Sequence, residues 1–409
     1  MSFPLHFKVS NIGIVALAAF WVLKKVLFER TFNYQSIGRN QALILSSFLF
    51  LFLWEAVSLF FTENLSYGLK NIEGKLSLLI LPIILYDIGI QYNHWIKMLK
   101  GYVYSLALCT VFLLYKSIEH YIGYGHLFVY HDFTSSLAFH AVFYSYYIFV
   151  AILISIFLYL KEELSKVEKI LFVISFVLSI VGLIISASKN VLVVTTLFSL
   201  TALIVRSMKK RVGVKELGFF LLFLVIGFLA VSRVPSVGKR VAELTQLNGM
   251  ENLTKIRNGE KLVESDIRKF NGTSLRITFW YVAVKKVMDK GAFLIGLTPG
   301  DRRDVLNEEY FKNGINPWYE NYNIHNQFVQ TFVELGIVGL LIYLLLHLQL
   351  FIIAIREKNF LLLALLSGLV IFQMTESIIE RNKGIVFVVF LLIFFQRFNN
   401  YQTNKELSS

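Results

Sequence analysis

Long apolar runs alternate with short polar connections along this chain, and the alternation repeats from near residue 11 to near residue 397. About eleven runs are long enough, or nearly so, to cross ~30 Å of hydrocarbon as helices. They lie near 11–28, 41–62, 76–91, 101–116, 138–160, 169–187, 190–205, 215–232, 328–355, 359–375 and 384–397. The 76–91 run is short and carries Pro82, so it is expected to be tilted, broken or re-entrant. The "ALA" at 16–18 mimics a signal-peptidase site, yet the run continues to Phe28, which favours a retained first helix. One connection, 233–325, is long enough for a small subdomain of its own. The pattern therefore predicts an all-α polytopic membrane protein with about 11–12 transmembrane helices. Its parts are N-terminal membrane helices over 1–232, one long outer loop over 233–325, and C-terminal membrane helices with a tail over 326–409.

Within the long loop, "SLRITFWYVAVKKVMDKGAFLIG" (274–296) has the spacing of an amphipathic helix. Arg276, Trp280, Ala283 and Val287 follow i, i+4, i+7 and i+11, while Lys285 and Lys286 project roughly opposite Arg276. Gly291 is expected to end this helix. "GLTPGD" (296–301) is then expected to turn, with Pro299 and Gly300 setting the backbone.

Composition agrees with a lipid environment. Hydrophobic residues make up 56% of 409 residues and mean hydropathy is +0.62, beyond the range of a soluble domain. The net charge of +13 raises nucleic acid as a partner, but the basic residues cluster in short loops between apolar runs. That is the ordinary topogenic bias of a membrane protein, so no nucleic-acid role is expected. The single cysteine, Cys109, sits in an apolar run and excludes both a disulfide framework and a CxxC metal site.

Lysine and arginine also orient the chain. "RSMKKRVGVKE" (206–216) is the strongest inside marker, and propagating from it puts 23–39, Lys97 with Lys100, 161–169 and 356–358 inside too. Segments 63–75, 117–137, the tight link near Lys189, the loop 233–325 and 375–384 then face outward, as does the N-terminus under an eleven-helix count.

The segment "NYNIHNQFVQTFVELGIVGLL" (321–341) passes within a few residues from polar to membrane-grade apolar. An asparagine N-cap and an interfacial polar collar account for such a stretch in many membrane proteins. Here the same outer face also receives Lys189, Arg276, Glu376 and Arg381, with His140 at the outer end of its helix and Glu73 beside Lys75. Ionisable groups at the membrane margin are costly and point to function. Lys189 and Arg276 suit a phosphate-bearing ligand, and His325 can take a proton from a hydroxyl. Together they fit transfer from a diphosphate leaving group to an alcohol. Metal chemistry is not called for: His120, His126, His131 and Asp132 are the nearest approach to a ligand set, in a loop. No cofactor is expected.

Those residues carry a resemblance to the bacterial O-antigen ligase and O-antigen polymerase superfamily over nearly the whole chain. "NYNIHNQFVQTFVELGIVGLLIYL" (321–344) resembles the family's HN-x-[FY]-[LV]-Q-x-x-x-E-x-G-x-x-G-L block, and "SLRITFWYVAVKKV" (274–287) its R-x-x-x-W segment. "GLTPGDRRDVLNEEY" (296–310), "ENLSYGLKNIEGKLSLLILP" (63–82), "FHAVFYSYY" (139–147) and "TESIIERNKGIVF" (375–387) extend the likeness.

The resemblance implies a GT-C-like glycosyltransferase of the bacterial inner membrane, acting in the periplasm without metal on an undecaprenyl-diphosphate-linked glycan. It implies His325 as the catalytic histidine and Arg276 as the arginine that holds the diphosphate. "SASKNVLVV" (186–194) falls where the family has S-R-G, with Lys189 for the arginine and Asn190 for the glycine, so charge is kept and the guanidinium fork is lost. His140, Glu73, Lys75, Glu376 and Arg381 are possible cavity-lining residues. Each has a plainer alternative. Arg276 fits interfacial snorkelling, Lys189 a loop anchor, and His140 helix packing. The four charged residues fit pairs or caps, and Trp280 fits packing or an interfacial belt.

The favoured activity is ligation of the glycan to an acceptor hydroxyl on lipid A-core, with inversion at the anomeric carbon. Polymerisation onto another lipid-linked repeat unit is the alternative with the same motifs. A transporter of lipid-linked sugars would instead favour an internal repeat and ionisable residues deep in several helices.

Overall fold

A computed structural model describes residues 7–29, 38–208, 238, 248–315 and 319–408. Every regular element among them is helical, as the pattern predicts, with no strand. Five of these helices are long and apolar enough to cross a membrane: Arg39–Phe61, Tyr92–Tyr124, Ala141–Tyr159, Lys166–Ile185 and Gln327–Arg356. Lys189–Thr201 and Phe360–Gln373 are shorter apolar helices. The chain is thus an all-α, multi-pass membrane protein. The expected 215–232 helix, most of the basic marker at 206–216, and the start of the long loop fall outside the described residues.

The described chain divides into two compact units, residues 1–16 with 91–245 and residues 17–90 with 246–409. In the first, Ala141–Lys161 is the central helix, packed by Tyr92–Tyr124, Lys166–Ile185 and Lys189–Met208. Its apolar residues run all round the cylinder, so Tyr144, Tyr146, Tyr147 and Phe149 are all buried. Lys166–Ile185 approaches through Ser175, Ser179 and Gly182, spaced i, i+4 and i+7. A Cβ on Gly182 would stand 3.0 Å from Thr110 and 3.1 Å from Ile148. Small residues that admit close backbone approach drive such contacts where water supplies no hydrophobic force.

The second unit is built on Gln327–Arg356, packed along Arg39–Ser58 and beside Phe360–Gln373. Asn382–Ser408 lies against Ser77–Asp87, and Leu65–Lys75 against Thr298–Lys312. Ser77–Asp87 is the 76–91 run, and at 11 residues it spans roughly 16 Å, about half a bilayer core. The carbonyls near its end are taken by Arg397, whose Nη1 donates to Leu85 and, at 2.7 Å, to Ile88.

The described part of the long loop folds as helices Met250–Arg257, Glu264–Ile267, Gly272–Asp289 and Thr298–Lys312. Gly272–Asp289 is the predicted amphipathic helix. Its Phe279, Val282, Ala283 and Val287 join Ile256, Leu306 and Tyr310 in one core, which continues into Ile324 and Val333. Phe279 stacks on Tyr310 with ring centres 4.7 Å apart.

The expected turn at 296–301 is shorter than anticipated, because Thr298 to Asp301 form the first turn of Thr298–Lys312. Pro299 sits at the helix start, where its missing N–H is no loss, and Asp301 lies in the first turn. The Asp301 carboxylate accepts from Glu63 N at 2.9 Å and Asn64 N at 2.8 Å, joining the loop to the 63–64 segment.

Gln327–Arg356 is interrupted at Gly336, where φ is 66° and ψ −169°. A side chain there would run into the Leu294 carbonyl. The break frees backbone groups that the neighbouring loop and helix then satisfy. Ile337 N donates to Phe293 O at 2.9 Å, Leu297 N to Val333 O at 2.8 Å, and Trp54 Nε1 to Leu335 O at 2.9 Å.

Candidate functional site

The polar residues around the start of Gln327–Arg356 do different things. Asn326 is the N-cap, its side-chain oxygen accepting from Phe328 N at 3.0 Å and Val329 N at 3.1 Å. Gln327 Oε1 accepts from Ile379 N at 2.8 Å, which draws the segment after Phe360–Gln373 against the start of this helix. Gln330 Oε1 accepts from Ile324 N at 3.3 Å, and Trp280 Nε1 donates to Ile324 O at 2.8 Å. Trp280 is thus a packing residue that also fixes the carbonyl just ahead of His325.

His325 itself is held at φ +56°, a left-handed conformation that costs a non-glycine residue ~1–3 kcal/mol. The surrounding bonds hold it there. Its Nδ1 lies 3.2 Å from Glu376 Oε2, and Arg276 Nη2 donates to Glu376 Oε1 at 2.9 Å. Glu376 is 4% exposed, whereas His325 is 21% and Arg276 25% exposed. A carboxylate only accepts, so the imidazole in its neutral form carries the proton on Nδ1 and keeps the lone pair on Nε2. The arrangement is a half-open imidazole, oriented by a buried carboxylate whose charge is balanced by a guanidinium. It can accept a proton at Nε2 and stabilise the resulting imidazolium.

A second, sealed cluster lies in the same unit. Lys75 Nζ is 3.0 Å from Glu55, 2.8 Å from Glu334 and 3.7 Å from Glu380. Arg302 reaches Glu334 through Nε at 3.3 Å and Glu380 through Nη2 at 2.8 Å. Three carboxylates thus face two cations. Burial pushes the Lys75 ammonium down, but the carboxylates outweigh it and hold it above lysine's usual range. Burial and the Glu334 carboxylate push Glu380 up, against Arg302 and Lys75. Sequence reasoning missed Glu55, Glu334, Glu380 and Arg302. A signal existed for two of them, since "FLWEAV" and "FVELGIV" each set one acid in an apolar run.

Above this cluster opens a cavity of about 250 Å³. Lys75, Arg302 and Glu380 contribute to its wall together with Lys70, Arg303, Tyr322 and several asparagines. Tyr322 also packs on His325, with ring centres 5.9 Å apart, so one side chain touches both the cavity and the imidazole, which does not itself line the cavity.

The remaining expected site residues lie elsewhere. Glu73 and Arg381 are exposed and are not among the residues lining this cavity. Lys189 and His140 belong to the other compact unit. Lys189 opens Lys189–Met208 after a turn in which Ala187 has φ +45°. His140 precedes Ala141–Lys161 and meets His131 edge-on at 4.2 Å between ring centres. His120 and His126 approach to 3.0 Å between their Nε2 atoms at the exposed end of Tyr92–Tyr124. Among the described residues no group of three or more His, Cys, Asp or Glu side chains is placed to hold a metal.

Residues 174–344 match the family described as O-Antigen ligase. The match takes in Lys189, Arg276 and His325 and supports the superfamily to which the 274–287 and 321–344 motifs point. Glu376 and the 63–82 motif lie outside it. No curated protein matches the chain.

Proposed function

We propose that this protein belongs to the O-antigen ligase superfamily and transfers a glycan from undecaprenyl diphosphate to an acceptor hydroxyl on lipid A-core, at the periplasmic face of a bacterial inner membrane. The observation that carries the reading is the half-open His325 imidazole fixed by Glu376. Nε2 takes the acceptor proton as the hydroxyl oxygen bonds to the anomeric carbon. The bond from that carbon to the diphosphate oxygen breaks on the opposite face, which inverts the configuration. The diphosphate leaves as an anion, and its charge is met by Arg276. Glu376 compensates the imidazolium until the proton is released. Side-chain cations supply the charge that a divalent ion supplies elsewhere, so activity is expected to persist in chelator.

The test is reconstitution of the purified protein with lipid-linked glycan and two acceptors, lipid A-core and a second lipid-linked unit. Glycan on lipid A-core is expected. Elongated lipid-linked product would select the polymerase, and neither product would reject glycosyl transfer. Sidedness is tested separately in a Cys109-free background. A cysteine at the exposed Asn258 should react with an impermeant thiol reagent in spheroplasts, and one at Lys210 should not.

A further inference from the structure

The cavity of about 250 Å³ lined by Tyr322 and Asn323 has a wall chemistry that the proposed proton transfer does not use. Its buried cations, Lys75 and Arg302, are already matched by the Glu55, Glu334 and Glu380 carboxylates. Lys70 and Arg303 are not: neither forms an ion pair among the described residues. Arg303 lies over the Tyr67 ring at 5.1 Å, and its buried Nε has no hydrogen-bond partner. A cation–π contact of this kind holds the guanidinium near the ring and leaves its donors for something else. Asn323 and Asn382 also line the space, and their side chains make no hydrogen bond among the described residues.

Each feature narrows the occupant. Two cations without carboxylate partners at a polar wall call for an anion. Primary amides present a donor and an acceptor side by side, which matches vicinal hydroxyls. The volume is below the ~300–1,000 Å³ of pockets for drug-sized ligands, so it holds about one sugar ring rather than a chain. Tyr322 lies on the wall and against His325, so the seat and the proposed base share that one aromatic side chain.

We infer that this cavity is a saccharide subsite for a sugar bearing an anionic group, carboxylate or phosphate, with Lys70 and Arg303 as the anion contacts and Asn323 and Asn382 as hydroxyl contacts. The subsite rests on the glycosyl-transfer reading for its purpose, but its occupancy is measurable without turnover.

Saturation-transfer NMR on the full-length protein in nanodiscs, with competition to rank affinities, supplies the test. The probes are glucuronic acid, glucose 6-phosphate, glucose and inorganic phosphate. At least one charged sugar should bind tenfold or more tightly than glucose, and which one identifies carboxylate or phosphate as the anion. Lys70→Gln, at an exposed position, and Arg303→Gln should each weaken that binding several-fold, and Arg303→Lys should recover part of it. His325→Ala should bind the sugar as wild type does while losing transfer, so failure of the transfer mechanism and failure of the subsite are read separately. Equal binding of glucose and both charged sugars would overturn the inference. So would inorganic phosphate binding as tightly as glucose 6-phosphate, or unchanged affinity in both the Lys70→Gln and Arg303→Gln proteins.

Discussion

Two carboxylate-centred clusters share one compact unit and much the same vocabulary of side chains, yet they differ in access to water. Around Glu376, one acid faces Arg276 and His325, and both partners remain about a fifth to a quarter exposed. Around Glu334, three acids face Lys75 and Arg302, and every member is between 1% and 7% exposed. Sealed ion pairs gain strong mutual attraction but must offset a large desolvation cost, so they fix geometry more than they add stability. A half-open cluster leaves the proposed proton acceptor within reach of solvent. On the proposed reading, burial together with the single histidine separates the proton acceptor from the scaffold that positions it.

The sharpest way to break this contrast is to truncate one member of each cluster. His325→Ala should cost ~10²–10⁴-fold in turnover while the protein inserts and unfolds as wild type, because general-base help is of that size. His325→Gln keeps a hydrogen-bonding side chain without usable basicity. Near-wild-type turnover in the Gln variant, at saturating donor and acceptor, would mean that His325 only positions substrate. Lys75→Met should behave oppositely. It leaves buried carboxylates without their shared cation and should destabilise the fold by ~3–5 kcal/mol, seen as loss of folded protein on thermal challenge in detergent. A Lys75→Met protein with unchanged stability and lost activity would erase the distinction between the clusters.

A smaller effect sharpens the half-open side. Arg276→Lys keeps the charge but loses the planar fork, and charge-assisted hydrogen bonds contribute ~1.5–3 kcal/mol. Turnover should fall about ten- to a hundredfold.

The smallest effect belongs to a peripheral pair, Lys286 and Glu309, at 2.7 Å. Burial pushes the Glu309 carboxyl up, but Lys286 outweighs it and holds it below the usual range. A depressed carboxylate contributes stability above its unfolded pKa, and that contribution is lost as pH falls through the folded value. Lys286→Ala should cost at most ~1 kcal/mol near neutrality. The deficit should vanish on acidification, as followed by unfolding midpoints across the acid range.

Much of this arrangement was legible in the sequence, and the exceptions share a physical cause. Apolar runs mark helices because lipid tolerates little else, and Asn326, His325 and Arg276 stand in motifs whose spacing is local. Glu73 and Lys75 sit two residues apart and invited pairing, but Lys75 turns inward to Glu55 and Glu334, 20 and 259 residues away in sequence. Such partners are set by helix packing, which no local pattern encodes. Pro299 and Gly300 suit a turn and the first turn of a helix equally well, so only the Asp301 contacts to the 63–64 segment decide between them.

The interruption at Gly336 gives the long helix two mechanical identities. Residues before it are fastened by Leu297 and Trp54 to the loop and to Arg39–Ser58, while residues beyond it make up most of a helix long and apolar enough to cross a membrane. Membranes of different thickness change the tilt of the helices they hold. A tilt imposed on 338–356 reaches a joint before it reaches His325, so the distance from imidazole to carboxylate is insulated from the lipid. Transfer rates should therefore vary little with acyl-chain length in the native protein. Gly336→Ala, which strains that joint, should make them depend on it.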